Sequence, residues 1–422
     1  MEDALSGVEA GQQGGFGLVI GVDRNNRAGQ LRARGAHVVV KDLSQVSAGR
    51  WSGQDSGWEH VYTGFDPEDE GKRETLCAMG NGYFVTRGTA LEAIADEVHY
   101  PGTYLAGCYN RLKTNIQGRI VENEDLVNIP NWRCLNFRIG KDPWFSLKYV
   151  TLIFYRQSLD MKKGILNRDL SFRDERGRLT LLSQISFVHG EQMHLAGMKM
   201  ELTPLNWGGE VVICSALDGR VTNRGVERYK DLENRHLDLV EARHVDDQTV
   251  ALKVRTRNSG IDIALGAYTH VFVGSKRVKV EPLPVNKPYG YIGKYFRVKV
   301  GRSDRLVVEK QVSVYTSKDS GIYECLWEAQ AAVSTFKTKF TTLLNSHVTA
   351  WSLLWREFDF NISLDNARLE QSTGKITRLY MFHLLQSSSF HSLDIDVGML
   401  ARGWHGEGYR GHVSLAERKQ RA

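Results

Sequence analysis

From Trp58 to Thr316 the chain is dominated by short segments in which apolar and polar residues alternate. This period of two constrains the fold more than any other feature, because alternate side chains of a strand point to opposite faces of a sheet. "KMELT", "EVVICSALDG", "TVALKVRTR", "DIALGAYTHVFVG" and "YFRVKVGR" each read as strands, and turn signals separate several of them, Asn258-Ser259-Gly260 and Gly301-Arg302-Ser303-Asp304 among them. In "VALKVRTR" the pattern turns Val250, Leu252 and Val254 to a core and Lys253 and Arg255 to water. A run of strands this long predicts a large antiparallel sandwich. The formal net charge of +6 belongs to the same alternation. It reads as a solvated sheet face, and with no accompanying motif it excludes a nucleic-acid partner.

After the strands the period changes. Between Ile322 and Phe358 apolar residues recur at steps of three and four (Val333, Phe336, Phe340, Leu343, Leu344, Val348, Trp351, Leu354, Trp355), which predicts an amphipathic helix broken once. A second helix is predicted over roughly Leu369 to Ser388, with Ile376, Leu379, Tyr380, His383 and Leu384 on one side. Before the strands, "DALSGVEAGQQGG" and "RAGQLRARG" read as helices and "FGLVIGVDR" and "AHVVVKDL" as strands apolar on both faces. That order belongs to a parallel α/β domain, although two strands are too few to bury both faces. Residues 46–57, rich in Ser, Gly and Gln, form a linker.

The five cysteines are scattered with no C-x-x-C pair, which fits a reducing compartment. No apolar run approaches the length of a membrane span, and the N-terminus has none of the marks of a signal peptide. The sequence therefore places the chain in the cytoplasm, with no membrane partner.

Glu2-Asp3, followed by a helix and the strand "LVIGVDR", resembles the fourth motif of the haloacid dehalogenase-like phosphatases and phosphomutases, near the β-phosphoglucomutase branch. The resemblance covers about 45 residues. It implies that Glu2 and Asp3 are vestigial Mg²⁺ ligands, since carboxylate oxygens suit that hard cation. The family's nucleophilic Asp, partner acid and Lys are missing, so phosphoryl transfer is not expected. By residue type alone, the pair also serves as helix N-terminal charge.

"ETLCAMGNGYFVTRG" (74–88) and "YPGTYLAGCYN" (100–110) read first as a hairpin, with Asn81-Gly82 as its tight turn. As strings they resemble the opening of the N-terminal domain of glycoside hydrolase family 65, which includes maltose, trehalose and kojibiose phosphorylases and α-glucoside hydrolases. "AWSLLWREFDFNI" (350–362) and "ITRLYMFHLLQSSS" (376–389) resemble that family's linker and first barrel helix. On their own they are packing helices, with Trp351, Trp355 and Phe382 buried and His383 a core histidine. The resemblance implies a mainly β fold class: a large antiparallel β-sandwich, linker helices and the first helix of an incomplete (α/α)6 barrel, after a short α/β remnant. The expected divisions are 1–45 (remnant), 46–57 (linker), 58–318 (sandwich), 319–365 (helical linker), 366–413 (start of the barrel) and 414–422 (a tail without family character).

"ARGWHGEGYRGHV" (401–413) resembles the loop in front of the family's active site. Sugars are held by an aromatic ring under one face and by carboxylates and Arg on the hydroxyls. Trp404, Glu407, Tyr409, Arg410 and His412 have that chemistry and are the candidate substrate contacts; a Gly-rich structural loop is the competing reading. Asp394 and Asp396, two apart in a predicted loop, can cap or ligate. Family members invert at the anomeric carbon, a Glu protonating the glycosidic oxygen while phosphate or water attacks. The resemblance places that Glu beyond residue 422, so none of the residues present is expected to be catalytic. The similarity stops at Val413, and a frameshift there is expected, with the chain truncated at both ends. The parent is expected to act on α-linked glucose disaccharides (trehalose, maltose or kojibiose), with inorganic phosphate as co-substrate if it is a phosphorylase. Mg²⁺ would belong only to the parent's phosphatase-like domain, and this chain is expected to need no cofactor and to be inactive. A saccharide-binding or oligomerisation module without catalysis is the alternative, and the resemblance allows a homodimer.

Overall fold

The computed structural model describes residues 3–14, 19–24, 27–36, 38–40, 57–225, 231–278, 281–282, 288–335, 339–359, 362, 366–395, 397–398, 403 and 407. The first four elements form a small unit: α1 (Leu5–Gln13), β1 (Ile20–Val22), α2 (Ala28–Ala33) and β2 (Val38–Val40). The strands pair in parallel, Ile20 opposite Val38, as the helix-strand-helix-strand order predicts. Val8, Val19, Leu31 and Ala36 make its small core.

The β domain opens with β3 (Glu59–Thr63), α3 (Glu70–Leu76), β4 (Met79–Gly80), β5 (Phe84–Thr86), β6 (Thr103–Ile116), β7 (Arg119–Asn128) and β8 (Leu135–Ile139). It continues through β9 (Val150–Asp160), β10 (Ile165–Asp174), β11 (Leu179–Val188), β12 (Leu195–Pro204) and β13 (Gly209–Asp218). Then come β14 (Leu237–His244), β15 (Thr249–Thr256), β16 (Asp262–Val273), β17 (Lys276–Arg277), β18 (Glu281–Pro282), β19 (Tyr291–Val300) and β20 (Leu306–Thr316). Three helices follow: α4 (Cys325–Thr335), α5 (Phe340–Phe358) and α6 (Ala367–Ser387).

The long sheet runs β14-β15-β16-β20-β12-β11-β10-β9-β3, with β17 added on β16. A second sheet, β18-β19-β13-β8, packs on it, and a third, β4-β5-β6-β7, lies against β11. Each segment read as a strand from its alternation is one, and the two turn signals fall between β15 and β16 and between β19 and β20. Between the sheets Leu252, Ile263, Leu265 and Val312 meet Val211, Ile213, Phe296 and Val298 in one apolar core. Lys310 is buried inside it without a carboxylate. Its Nζ donates to the carbonyls of Trp132 (2.6 Å), Ala216 (2.6 Å) and Cys134 (3.2 Å), so one side chain ties β20 to β13 across the sandwich.

The helices extend this core. Phe340, Leu343, Trp351 and Trp355 of α5 are buried, as their spacing predicts. Trp355 Nε1 donates to Met161 O at 2.7 Å, and Trp351 stacks on Phe382 of α6 at 4.6 Å. Gly164 lets Trp351 come this close: its φ is +66°, and a Cβ there would sit 2.2 Å from the indole nitrogen.

Two faces differ from the alternation and helix patterns. Lys253 does not face water: α4 covers that side of β15 and β16 with Cys325, Leu326 and Ala329. There Lys253 is 8% exposed and paired with Glu324 (2.8 Å) and Asp262 (3.2 Å), whereas Arg255 stays exposed. On α6 the sandwich takes Leu379, Phe382 and Gln386, and Ile376, Tyr380 and Leu384 remain exposed at 53%, 67% and 48%.

Candidate functional site

The N-terminal hairpin and the segment after α6 meet at one place. Asn81-Gly82 turns β4 into β5 as read from the sequence, with Gly82 at φ +88°. A Cβ on Gly82 would lie 2.2 Å from Ser389 Cβ, so this turn admits the α6 end only as glycine. His391 sits beside it, its ring nitrogens each 2.9 Å from the carbonyls of Asn81 and Glu191. Gln386 adds a bond to Ala78 O at 3.2 Å.

Farther on, Glu407 is 7% exposed, and its carboxylate turns into the β domain. Oε1 accepts from the hydroxyls of Tyr100 and Tyr104 (3.0 Å for Tyr104), and Oε2 from Gly225 N at 2.7 Å. Tyr100 is itself fixed: its hydroxyl accepts from Arg224 N (2.8 Å) and lies 3.0 Å from Thr222 O, and its amide donates to Glu74 at 3.1 Å. Glu74, buried in α3, also holds Arg87 at 3.3 Å and His99 at 3.0 Å. Burial works against charge on His99, yet hydrogen bonding to the Glu74 carboxylate raises its pKa overall. Around Glu407 the balance runs the other way. Burial raises its pKa more than the Tyr100, Gly225 and Tyr104 donors lower it.

Of the loop residues read as sugar contacts, Glu407 lies among the described residues; Trp404, Tyr409, Arg410 and His412 lie outside them. Asp394 is exposed, and Asp396 lies outside the described residues. Nothing in the sequence marks Tyr100, Tyr104 and Gly225 as site residues. The two tyrosines stand in "YPGTYLAGCYN", where an aromatic in a strand looks the same whether it fills a core or holds a distant carboxylate.

In the N-terminal unit Glu2 lies outside the described residues. Asp3 is exposed, with its carboxylate 3.7 Å from Arg24 Nε. The neighbouring carboxylates are engaged: Asp23 accepts from the amides of Arg27 (2.6 Å) and Ala28 (3.0 Å), and Glu9 pairs with Arg34 (2.5 Å). Arg24, Arg27 and Arg34 line the same cleft, so the described donors do not fit a Mg²⁺ site, and no step is derived through one. Glu70, Glu74 and His99 bring donor atoms within 4.8 Å of one another, but arginines occupy both carboxylates.

Residues 60–354 match the family described as glycosyl hydrolase family 65, N-terminal domain. The chain belongs to glycosyl hydrolase family 65. Among family 65 relatives, an uncharacterized glycosyl hydrolase of Mycobacterium tuberculosis is 35% identical over 94% of this chain and 30% of its own length. A kojibiose phosphorylase of Halothermothrix orenii is 28% identical over 86% of this chain and 44% of its own. A trehalose 6-phosphate phosphorylase of Lactococcus lactis is 25% identical over 83% and 43%. A solved structure provisionally assigned as a kojibiose phosphorylase, from the human microbiome, superposes with a TM-score of 0.69 at 16% identity. It covers 85% of this chain and 45% of that one, and shares the fold. The chain thus spans less than half the length of these family 65 relatives.

Proposed function

We propose that this chain supplies the β-sandwich, helical linker and entry loop of an enzyme acting on α-linked glucose disaccharides of the trehalose, maltose or kojibiose type, by inverting phosphorolysis or hydrolysis. The observation that carries the reading is the family match over residues 60–354, with phosphorylases among the relatives. In this reading Glu407 is the anchor of the 401–413 loop, and Trp404, Tyr409, Arg410 and His412 are its sugar contacts. The general acid that protonates the leaving oxygen belongs to a barrel packed on the faces that α5 and α6 leave open. Leu353, Ile376, Tyr380 and Leu384 are each about half exposed or more, and covering what remains exposed is worth about 1–2 kcal/mol each, a little over half the value of a full burial. Residues 1–45 fit the end of a haloacid dehalogenase-like domain: their two parallel strands and four-residue core need further strands to close. The five cysteines form no disulfide, which suits the cytoplasm, and no described helix is long and apolar enough to cross a membrane. Trp327 and Tyr323, strongly exposed near the start of α4, would suit a homodimer contact.

The test is turnover of trehalose, maltose and kojibiose by the purified 422-residue chain, with and without inorganic phosphate, followed by release of glucose and glucose 1-phosphate. No turnover is expected from the chain alone. Turnover of any of the three would overturn the assignment of the general acid to another segment.

A further inference from the structure

A groove of about 230 Å³ opens on the sandwich between two loops, residues 140–149 after β8 and residues 174–178 between β10 and β11. Its floor is aromatic: Phe137 stacks on Phe145 at 4.9 Å, and Phe145 meets Phe172 at 4.8 Å. Ion pairs lock the loops to each other. Asp142 holds Arg176 (2.6 Å) and Arg178, and Arg178 also pairs with Asp174 at 2.6 Å. Asp174 further accepts from the amides of Arg176 and Arg178, both at 3.0 Å. A site held this way needs little ordering when a ligand arrives.

Four side chains give this groove its ligand-binding chemistry, with Tyr295 5.8 Å from the Trp144 ring. Trp144 is half-buried, and Tyr149 is 57% exposed. Arg138 lies with its guanidinium carbon 5.1 Å from the Trp144 ring, and its Nε is buried with no hydrogen-bond partner. Glu175 is exposed and makes no ion pair among the described residues. A flat apolar ring face flanked by one donor fork and one acceptor carboxylate suits the C–H face and hydroxyls of a pyranose. The charges of Arg138, Arg176 and Arg178 are balanced by Asp142, Asp174 and Glu175, which disfavours an anion.

We propose that this groove is a second saccharide site, taking a neutral α-linked glucose oligosaccharide with one ring on Trp144 and hydroxyls on Arg138 and Glu175. The choice of glucose rests on the proposed function; the preference for a neutral sugar rests on the groove itself. It would hold substrate-like chains on the sandwich without turning them over.

The probe is maltotriose, titrated into the full chain and followed by calorimetry and tryptophan fluorescence. Saturable binding is expected, weakened about tenfold by Trp144→Ala and by Arg138→Met, as the loss of one stacking or charged contact implies. Trp144→Phe keeps a ring and should retain most of the affinity, which controls for misfolding. Absence of saturable binding by the native chain, or binding that Trp144→Ala leaves intact, would overturn the proposal. So would tighter binding of maltose 6′-phosphate than of maltotriose. These outcomes are independent of the turnover assay, so either reading can fail alone.

Discussion

Replacing Glu407 tests whether one buried carboxylate fastens the loop to the sandwich. In Glu407→Ala the Tyr100 and Tyr104 hydroxyls and the Gly225 amide lose their acceptor. Tyr100 can redirect its proton to Thr222 O, 3.0 Å away, which leaves Tyr104 and Gly225 without an acceptor. Two orphaned donors at about 1–3 kcal/mol each put the cost near 2–6 kcal/mol. Since 1.4 kcal/mol is tenfold, the opening equilibrium of the loop should rise by about one to four powers of ten.

Glu407→Gln behaves differently. With the amide oxygen on Gly225 N and the NH₂ on the two hydroxyls, Tyr100 donates to Thr222 and only the Tyr104 hydroxyl proton loses its acceptor, one orphaned donor instead of two. The Gln variant should therefore keep most of the clamp. It should also remove its pH dependence. The folded pKa of Glu407 is raised by burial, so its contribution is fully present below the unfolded carboxylate value and is lost as pH rises through the raised one. Hydrogen exchange of peptides covering residues 222–225 and 403–407, at matched pD, reads the attachment directly. Strong deprotection in the Ala variant, with Gln between Ala and wild type, is the expected result. Equal protection in all three proteins would refute the anchoring role.

Gly82→Ala places a Cβ at φ +88° and 2.2 Å from Ser389. It should cost at least about 1–2 kcal/mol in urea titrations and expose the end of α6 to protease; an unchanged midpoint would contradict the close approach. Burial pushes the Lys310 ammonium down to about 8 from the ordinary 10.5. Between those values the unfolded chain holds a proton the folded one has released, so wild-type stability should rise with pH there and that of Lys310→Met should not. Parallel profiles, or a wild-type loss, would show that the three carbonyls hold the ammonium instead. His347 lies between Gly190 N and Gly164 O, both at 3.1 Å, and burial pushes it down to about 3. Stability should fall as pH drops from 6.5 toward 3, by up to about 1.4 kcal/mol per pH unit from this residue, and His347→Gln should flatten that part of the acid limb.

The sequence by itself determined the kind and order of the elements. Alternation in "DIALGAYTHVFVG" and "YFRVKVGR" could be satisfied only by strands, and the three-four spacing from Val333 to Trp355 only by helix, because these periods are properties of the local backbone. Tertiary structure decided what each face meets. The α6 pattern groups Ile376 with Leu379 and Tyr380, yet the sandwich took Leu379 and Phe382 and left Ile376 and Tyr380 open. Lys253 alternates as a solvent residue until α4, more than 70 positions later, covers it and Glu324, just before that helix, pairs with it. Glu407 was legible as a polar site residue; its anchoring role comes from a tyrosine 307 positions upstream. Periodicity records which side chains share a face, whereas the partner of that face is set by contacts between segments far apart in sequence, which form only when the chain has folded.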